Sequence, residues 1–257
     1  MIVDCRLALR RVGNVLATNH WPLATGFVMV AKAVGIVFSL LLIVGVPVLS
    51  LLTARDRQIL QLPRRVLYLS AVMSQWLLAA VGAVVVWLTS MSPAFLRASS
   101  AGAFFGWTLF LTAVSVAGLG GLLLLERRGW WPPESDLVYL LLPSNRTEKL
   151  WAVLFVAPTA ALCEEFLYRG YLMTQLSHWF HSVSWAWGLS SVAFGLAHTY
   201  QRINGMLRAS LLGALLAYPV VRLSSLYPSM AVHFLIDAIA LVWLGPTMLG
   251  KQQASRE

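Results

Sequence analysis

The chain has 257 residues, of which 59% are hydrophobic and only 11% charged. That balance excludes an ordinary soluble domain and fits a protein embedded in a membrane. The formal net charge of +9 does not point to nucleic acid, because the basic residues sit in short clusters between long apolar runs.

A helix needs about 20 mostly apolar residues to cross the hydrocarbon core. That test picks out residues 27–53, 67–91, 101–125, 150–172, 184–199, 206–221 and 229–249 as candidate spans. The fifth and sixth are short and interrupted by polar residues, so the expected fold class is an all-α, polytopic transmembrane helix bundle of about seven spans, six to eight. The apolar runs are continuous rather than alternating, which speaks against a β-barrel.

Residues 1–22 carry Arg6, Arg10 and Arg11 and read as an extra early helix or a segment lying on the membrane surface. These arginines interrupt the early apolar stretch, so no cleavable signal is expected and 27–53 reads as a retained span. Lys32 lies near enough to its end to snorkel. Arg55, Arg57, Arg64 and Arg65 fill the following loop. With seven spans that loop shares a side with Arg127, Arg128, Arg146, Lys149, Arg202, Arg208, Lys251 and Arg256. The other side holds only Arg6, Arg10, Arg11, Arg97 and Arg222. The excess predicts a cytoplasmic C-terminus, ending in a short polar tail at 251–257. The absence of eukaryotic targeting signals points to a bacterial inner membrane.

Two halves follow. Residues 1–143 hold three spans of unassigned role, whose polar content is Ser, Thr, Gly and a single Gln75. Gly118, Gly120 and Gly121 are expected to permit close helix contact. Residues 126–149, with Trp130-Trp131-Pro132-Pro133 near their start, read as an interfacial loop. From 144 to 250 ionisable groups return inside the apolar segments, and the chemistry is expected there. Cys5 and Cys163 provide neither a disulfide framework nor a zinc-finger spacing, and Cys163 reads as a small buried thiol.

Glu164, Glu165 and Asp237 each lie inside a strongly apolar stretch, while the other acidic residues lie in tails or between the runs. A carboxylate in hydrocarbon is costly, so such residues face a bundle interior or a wet cavity and mark function. Successive helical residues are about 100° apart, so Glu164 and Glu165 are expected to point differently. Glu165 and Arg169 are four apart, in the acid-first order that favours an ion pair. That assigns Glu165 and Arg169 to structure and leaves Glu164, without a local partner, for chemistry. Phe194 and His198 share a helical face, and Gly195 and Ala197 between them let a neighbouring helix approach. His233 and Asp237 are again four apart; such a pair can share a proton, bind a metal or orient each other. Together these groups make a hydrolytic constellation, with a base for water and donors for an oxyanion. Metal binding, zinc above all, is the competing use, although no His-Glu-x-x-His or Glu-x-x-His spacing is present.

Glu-Glu-x-x-x-Arg at 164–169, Phe-x-x-x-His at 194–198 and His-x-x-x-Asp at 233–237, in this order within apolar helices, resemble the CPBP family. That family covers CAAX-prenyl proteases, bacteriocin-processing enzymes and related Abi proteins. The resemblance spans about residues 145–250 and implies a glutamic-type intramembrane endopeptidase that needs no cofactor. It implies that Glu164 and His198 activate the attacking water and that Glu165 and Arg169 hold Glu164 in place. His233 and Asp237 would stabilise the oxyanion, and Phe194 would shape the pocket. Family members carry Asn or Asp at the last position, and an ionised Asp237 would repel a developing negative charge unless it is protonated or only orients His233. The implied partners are the lipid bilayer and a membrane-embedded or membrane-anchored protein or peptide substrate. Two rival readings are a non-catalytic immunity or scaffold protein with the same fold, and a proton-coupled transporter using the same acids as a relay.

Overall fold

The computed structural model describes residues 22–56, 58–92, 95–133 and 135–244. The expectations for residues 1–21, for 245–249, for the tail at 251–257 and for Arg57 lie outside the described residues. The described chain is helical almost throughout. Helix α1 (Pro22–Leu40) runs through a π turn at Leu41–Gly45 into α2 (Val46–Arg55), and α3 (Arg64–Leu88) and α4 (Ala101–Arg127) follow. A short α5 (Asp136–Leu141) precedes a long composite rod. The rod comprises α6 (Arg146–Trp151), a π turn at Ala152–Val156, α7 (Ala157–Glu164), a π segment at Glu165–Leu172 and α8 (Met173–Phe180). Helices α9 (Val183–Ala197), α10 (Arg202–Leu223) and α11 (Tyr227–Ile239) complete the bundle.

Among the described residues five stretches are long and apolar enough to cross a membrane: Val28–Arg55, Arg64–Leu88, Ala101–Arg127, Arg146–Phe180 and Thr199–Leu223. Val183–Ala197 and Tyr227–Val242 are shorter apolar helices. The chain is therefore a multi-pass membrane protein. Its outer surface is correspondingly apolar, with Met29 72%, Leu77 68% and Leu109 70% exposed. Such a surface is stable against lipid and not against water.

Local chemistry explains the breaks. The π turns at Leu41–Gly45 and Ala152–Val156 lie just before Pro47 and Pro158, which cannot donate an amide hydrogen to the preceding turn. Ser100, Asn145 and Ser182 accept from Ala103 N, Glu148 N and Trp185 N and so cap α4, α6 and α9. Ser224, left-handed at φ 53°, ends α10.

The loops gather at two ends. Arg64 Nε donates to Leu140 O at 2.7 Å and Tyr68 Oη to Leu141 O at 2.8 Å. Thr199 Oγ1 donates to Pro47 O at 3.0 Å, and Tyr200 N to Ser50 Oγ at 3.1 Å. Trp131 Nε1 donates to Asn204 Oδ1 at 2.7 Å. Residues 58–63, 128–133, 135–145 and 198–201 thus share one end. At the other, Leu226 N donates to Phe95 O at 2.9 Å. Arg64, Arg65, Arg127, Arg128, Arg146, Lys149 and Arg202 lie at or near the first end, and Arg97 and Arg222 at the second.

Two sequence expectations change. Residues 126–149 are not all loop: α4 continues to Arg127, and the apolar run Leu137-Val138-Tyr139-Leu140-Leu141 forms α5. Gly118, Gly120 and Gly121 do not mediate close packing among the described residues, where a Cβ at any of them would meet nothing within 4 Å. The close approach lies elsewhere. At Gly195 a Cβ would overlap Ser210 Oγ and stand 2.6 Å from Met206 O, so this glycine lets α9 and α10 touch backbone to backbone.

Gly195→Val should therefore cost about 1–3 kcal/mol or more by overpacking, read as a lowered thermal midpoint in detergent. Gly188→Ala, on the same helix with nothing within 4 Å, should leave the midpoint unchanged or raise it. Equal midpoints for Gly195→Val and the parent chain would refute this account of the α9–α10 contact.

Candidate active site

Helix α7 packs between α3 on one side and α11 on the other, which brings its C-terminal carboxylates against groups from both. Glu165 and Arg169 face inward where the helix widens into its π segment. Arg169 Nη1 donates to Glu165 Oε1 at 2.9 Å, with both side chains fully buried. The same oxygen lies 2.8 Å from His233 Nδ1. A carboxylate only accepts, so Nδ1 carries the hydrogen when Glu165 is ionised. One acid thus ties its own helix to α11.

Glu164 approaches the opposite edge of that imidazole. Its Oε2 lies 3.9 Å from His233 Nε2, longer than a hydrogen bond, and Asp237 Oδ2 lies 3.6 Å from the same nitrogen. The two adjacent glutamates therefore face one ring from different edges. Glu164 is not left alone: Gln75 Nε2, on α3, donates to its Oε1 at 2.7 Å. In the sequence Gln75 stands out only as the one long amide among the first spans. That rarity was the available signal, but nothing in the chain order names its partner.

Phe194 is buried at the centre of the cluster. Its ring lies 4.1 Å from the Arg169 guanidinium carbon, a cation–π arrangement, and 6.0 Å from the His233 ring at 88°. Arg169 Nε and Nη2 have no hydrogen-bond partner among the described residues, so the aromatic face is a substantial part of what offsets the burial of that cation. Gly213 of α10 makes room for the pair: a Cβ there would stand 3.0 Å from Arg169 Nη2 and 3.2 Å from Phe194 Cδ1.

His198 caps the C-terminus of α9. Its Nδ1 lies 2.8 Å from Phe194 O, and its ring centroid is 4.8 Å from that of Phe194. A carbonyl only accepts, so Nδ1 carries the hydrogen and Nε2 of the neutral ring is the basic nitrogen. The structure thus brings Glu164, Glu165, Arg169, Phe194, His233 and Asp237 together, with His198 joined to them through Phe194. Cys163, preceding the pair, is buried and free. Among the described residues no group of three His, Cys, Asp or Glu side chains is arranged to hold a metal ion.

Residues 146–239 match a family model described as Rce1-like, type II CAAX prenyl endopeptidase Rce1-like. No curated protein matches the chain, and no solved structure does.

Removing Glu165 would strand a buried guanidinium. Glu165→Ala should destabilise the protein by about 3–5 kcal/mol, measured as a lowered unfolding midpoint in micelles. The double variant Glu165→Leu with Arg169→Met, which buries no charge at either position, should recover much of that loss. A Glu165→Ala chain with the parent's midpoint would show that the pair does not hold the helices.

Proposed function

We propose that this chain hydrolyses a peptide bond of a membrane-embedded or membrane-anchored protein or peptide, a reading supported by the match of residues 146–239 to the Rce1-like type II CAAX prenyl endopeptidase family model. The observation that carries the reading is the division of labour around His233. Glu165 binds Nδ1, while Glu164 and Asp237 face Nε2 from beyond hydrogen-bond distance, so that edge remains open to a reacting molecule.

In the proposed step a water oxygen attacks the scissile carbonyl carbon and Glu164 Oε2 takes the water proton, with the basic Nε2 of His198 as its second partner. The C=O bond opens to an oxyanion, which accepts a hydrogen bond from His233 Nε2–H. That donation requires a proton on both ring nitrogens, and Glu165 at Nδ1 and Asp237 beside Nε2 are placed to orient such a ring. Collapse of the tetrahedral centre breaks the C–N bond, and the proton held by Glu164 passes to the leaving amine. Phe194 holds the two imidazoles apart and excludes water from Arg169. No metal enters these steps.

The basic loops at one end of the bundle support a cytoplasmic placement of that end, in a bacterial inner membrane. His198, Tyr200 and the loop at 198–201 belong to the same end, so the site would be reached from the cytoplasm. In a cysteine-free background, a membrane-impermeant maleimide added to spheroplasts should label Ala98→Cys and should label Gln58→Cys only after lysis. The opposite pattern would invert the topology.

Glu164→Gln should lower turnover by at least about 10²-fold, the usual effect of losing a general base, with little change in the amount of folded protein. Membrane proteomes of cells carrying the parent chain or the variant, scored for new peptide termini, provide the measurement. Termini that appear only with the parent chain would support proteolysis and reveal the substrate class. Identical profiles, with a variant that still complements a deletion, would refute the reading and favour a non-catalytic scaffold.

A further inference from the structure

The proposed base receives a hydrogen bond from outside the segment that matches the protease family. Gln75 lies on α3, in the half of the chain to which the sequence assigns no role, and its amide reaches Glu164 Oε1 at 2.7 Å. The hydroxyl side chains nearby on its helix behave differently. Ser70 donates to Leu67 O and Ser74 to Ala71 O, so each is satisfied within its own helix. Gln75 reaches across to another.

Its position is fixed by two further contacts of the same helix. One residue on, Trp76 Nε1 donates to Thr159 Oγ1 of α7 at 3.1 Å. Two turns further along, Gly82 brings α3 so close to the π segment that a Cβ would stand 2.9 Å from Leu167 Cδ2. Thr159, Glu164 and Leu167 thus meet α3 in register, with Gln75 at the carboxylate.

We propose that Gln75 is a positioning residue for Glu164, so that the N-terminal helices complete the active site rather than only surrounding it. The inference rests on the proteolytic reading above. An amide hydrogen on Oε1 fixes the carboxylate plane and leaves Oε2 as the oxygen that takes the water proton. Once Oε2 is protonated, Oε1 is a carbonyl oxygen that still accepts from Gln75. The hydrogen bond therefore persists through the proton transfer, and nothing around the base has to reorganise.

The test uses the purified full chain in micelles, with a peptide spanning a terminus that appears in cells with the parent chain and not with Glu164→Gln. Gln75→Met keeps the shape and removes the donor. It should lower kcat by about 10²-fold, the scale of a misplaced catalytic group, with KM within about twofold, as for a residue that acts only through Glu164. The unfolding midpoint should be unchanged. Gln75→Glu supplies a carboxyl that donates only while protonated, so its pH–rate optimum should move to more acid pH.

Parent-like kcat for Gln75→Met, alongside an inactive Glu164→Gln, would overturn the positioning role and leave the protease standing. A Gln75→Met chain with a lowered midpoint, together with a Gln75→Glu pH profile like the parent's, would make Gln75 a packing residue and also overturn it. The absence of any terminus dependent on Glu164 would defeat the proteolytic reading itself, and this inference with it.

Discussion

One carboxylate oxygen organises the interior. Glu165 Oε1 lies 2.9 Å from Arg169 Nη1 and 2.8 Å from His233 Nδ1. In a medium with little water, neither partner can be exchanged for solvent, so the oxygen fixes the π segment of its own rod against α11. Arg169 then requires something for the rest of its guanidinium. Phe194 of α9 supplies a ring face, and Gly213 of α10 supplies the space in which the two can meet. A single buried ion pair thus dictates the meeting of the rod with three further helices. The arrangement of α9, α10 and α11 around the rod follows from satisfying that charge.

The surrounding bundle obeys the opposite rule. Leu77, Leu109 and Met29 face outward, while polar contacts between helices point inward. Trp76 reaches Thr159, Tyr171 Oη reaches Gly35 O at 2.7 Å, and Ser229 Oγ reaches Leu216 O at 2.6 Å. In lipid, apolar side chains gain little by leaving their solvent, so packing and hydrogen bonds of this kind must specify which helix meets which. The glycines confirm the point by their distribution. Gly118, Gly120 and Gly121 meet no neighbour among the described residues, whereas Gly82, Gly195 and Gly213 lie where a second helix crosses.

Four of the long spans were legible because length and hydrophobicity decide them, whereas the sixth, expected to be short, runs from Thr199 to Leu223 and the stretches at 184–199 and 229–249 form shorter apolar helices. The i,i+4 geometry of Glu165 and Arg169 was legible because both lie on one turn. The limits were equally physical. The apolar run ends near Leu172, but the rod continues to Phe180, since Thr174 can donate to Gly170 O at 2.6 Å and a helix end tolerates polar residues beyond the hydrocarbon. Helix spacing also implied that two adjacent glutamates diverge. It could not reveal that one imidazole would be wide enough to meet both from different edges, nor that the bond between Gln75 and Glu164 would form across 89 positions of sequence. Pairing between distant helices leaves no periodic trace.

Hydrolysis inside a membrane sets two demands that conflict: charges must be held rigidly away from water, and water must still reach the reacting groups. Exposure across the cluster is graded in a way that meets both. Glu165 and Arg169 are 0% exposed and His233 5%, whereas Glu164 is 16% and Asp237 32% exposed. The direction of the gradient follows from the topology. Helix α11 begins at the end where Leu226 meets Phe95, so Asp237, one turn beyond His233, lies nearer the opposite end, where His198 closes α9 and Tyr200 meets Ser50. The fixed charges therefore occupy the dry side and the exchangeable carboxyls the side toward solvent. A proton relay across the membrane would need titratable groups continuing past Glu165 toward the other end. Beyond it the rod presents Arg169, already held by Glu165, and Tyr171, whose hydroxyl is bonded to Gly35 O. Residues 170–177 carry no carboxylate or imidazole, and Leu167 and Leu172 are buried in an apolar cluster with Phe38, Val85 and Leu226. Carboxyls exposed toward one end and an apolar cluster toward the other fit the proposed hydrolysis better than a path for an ion.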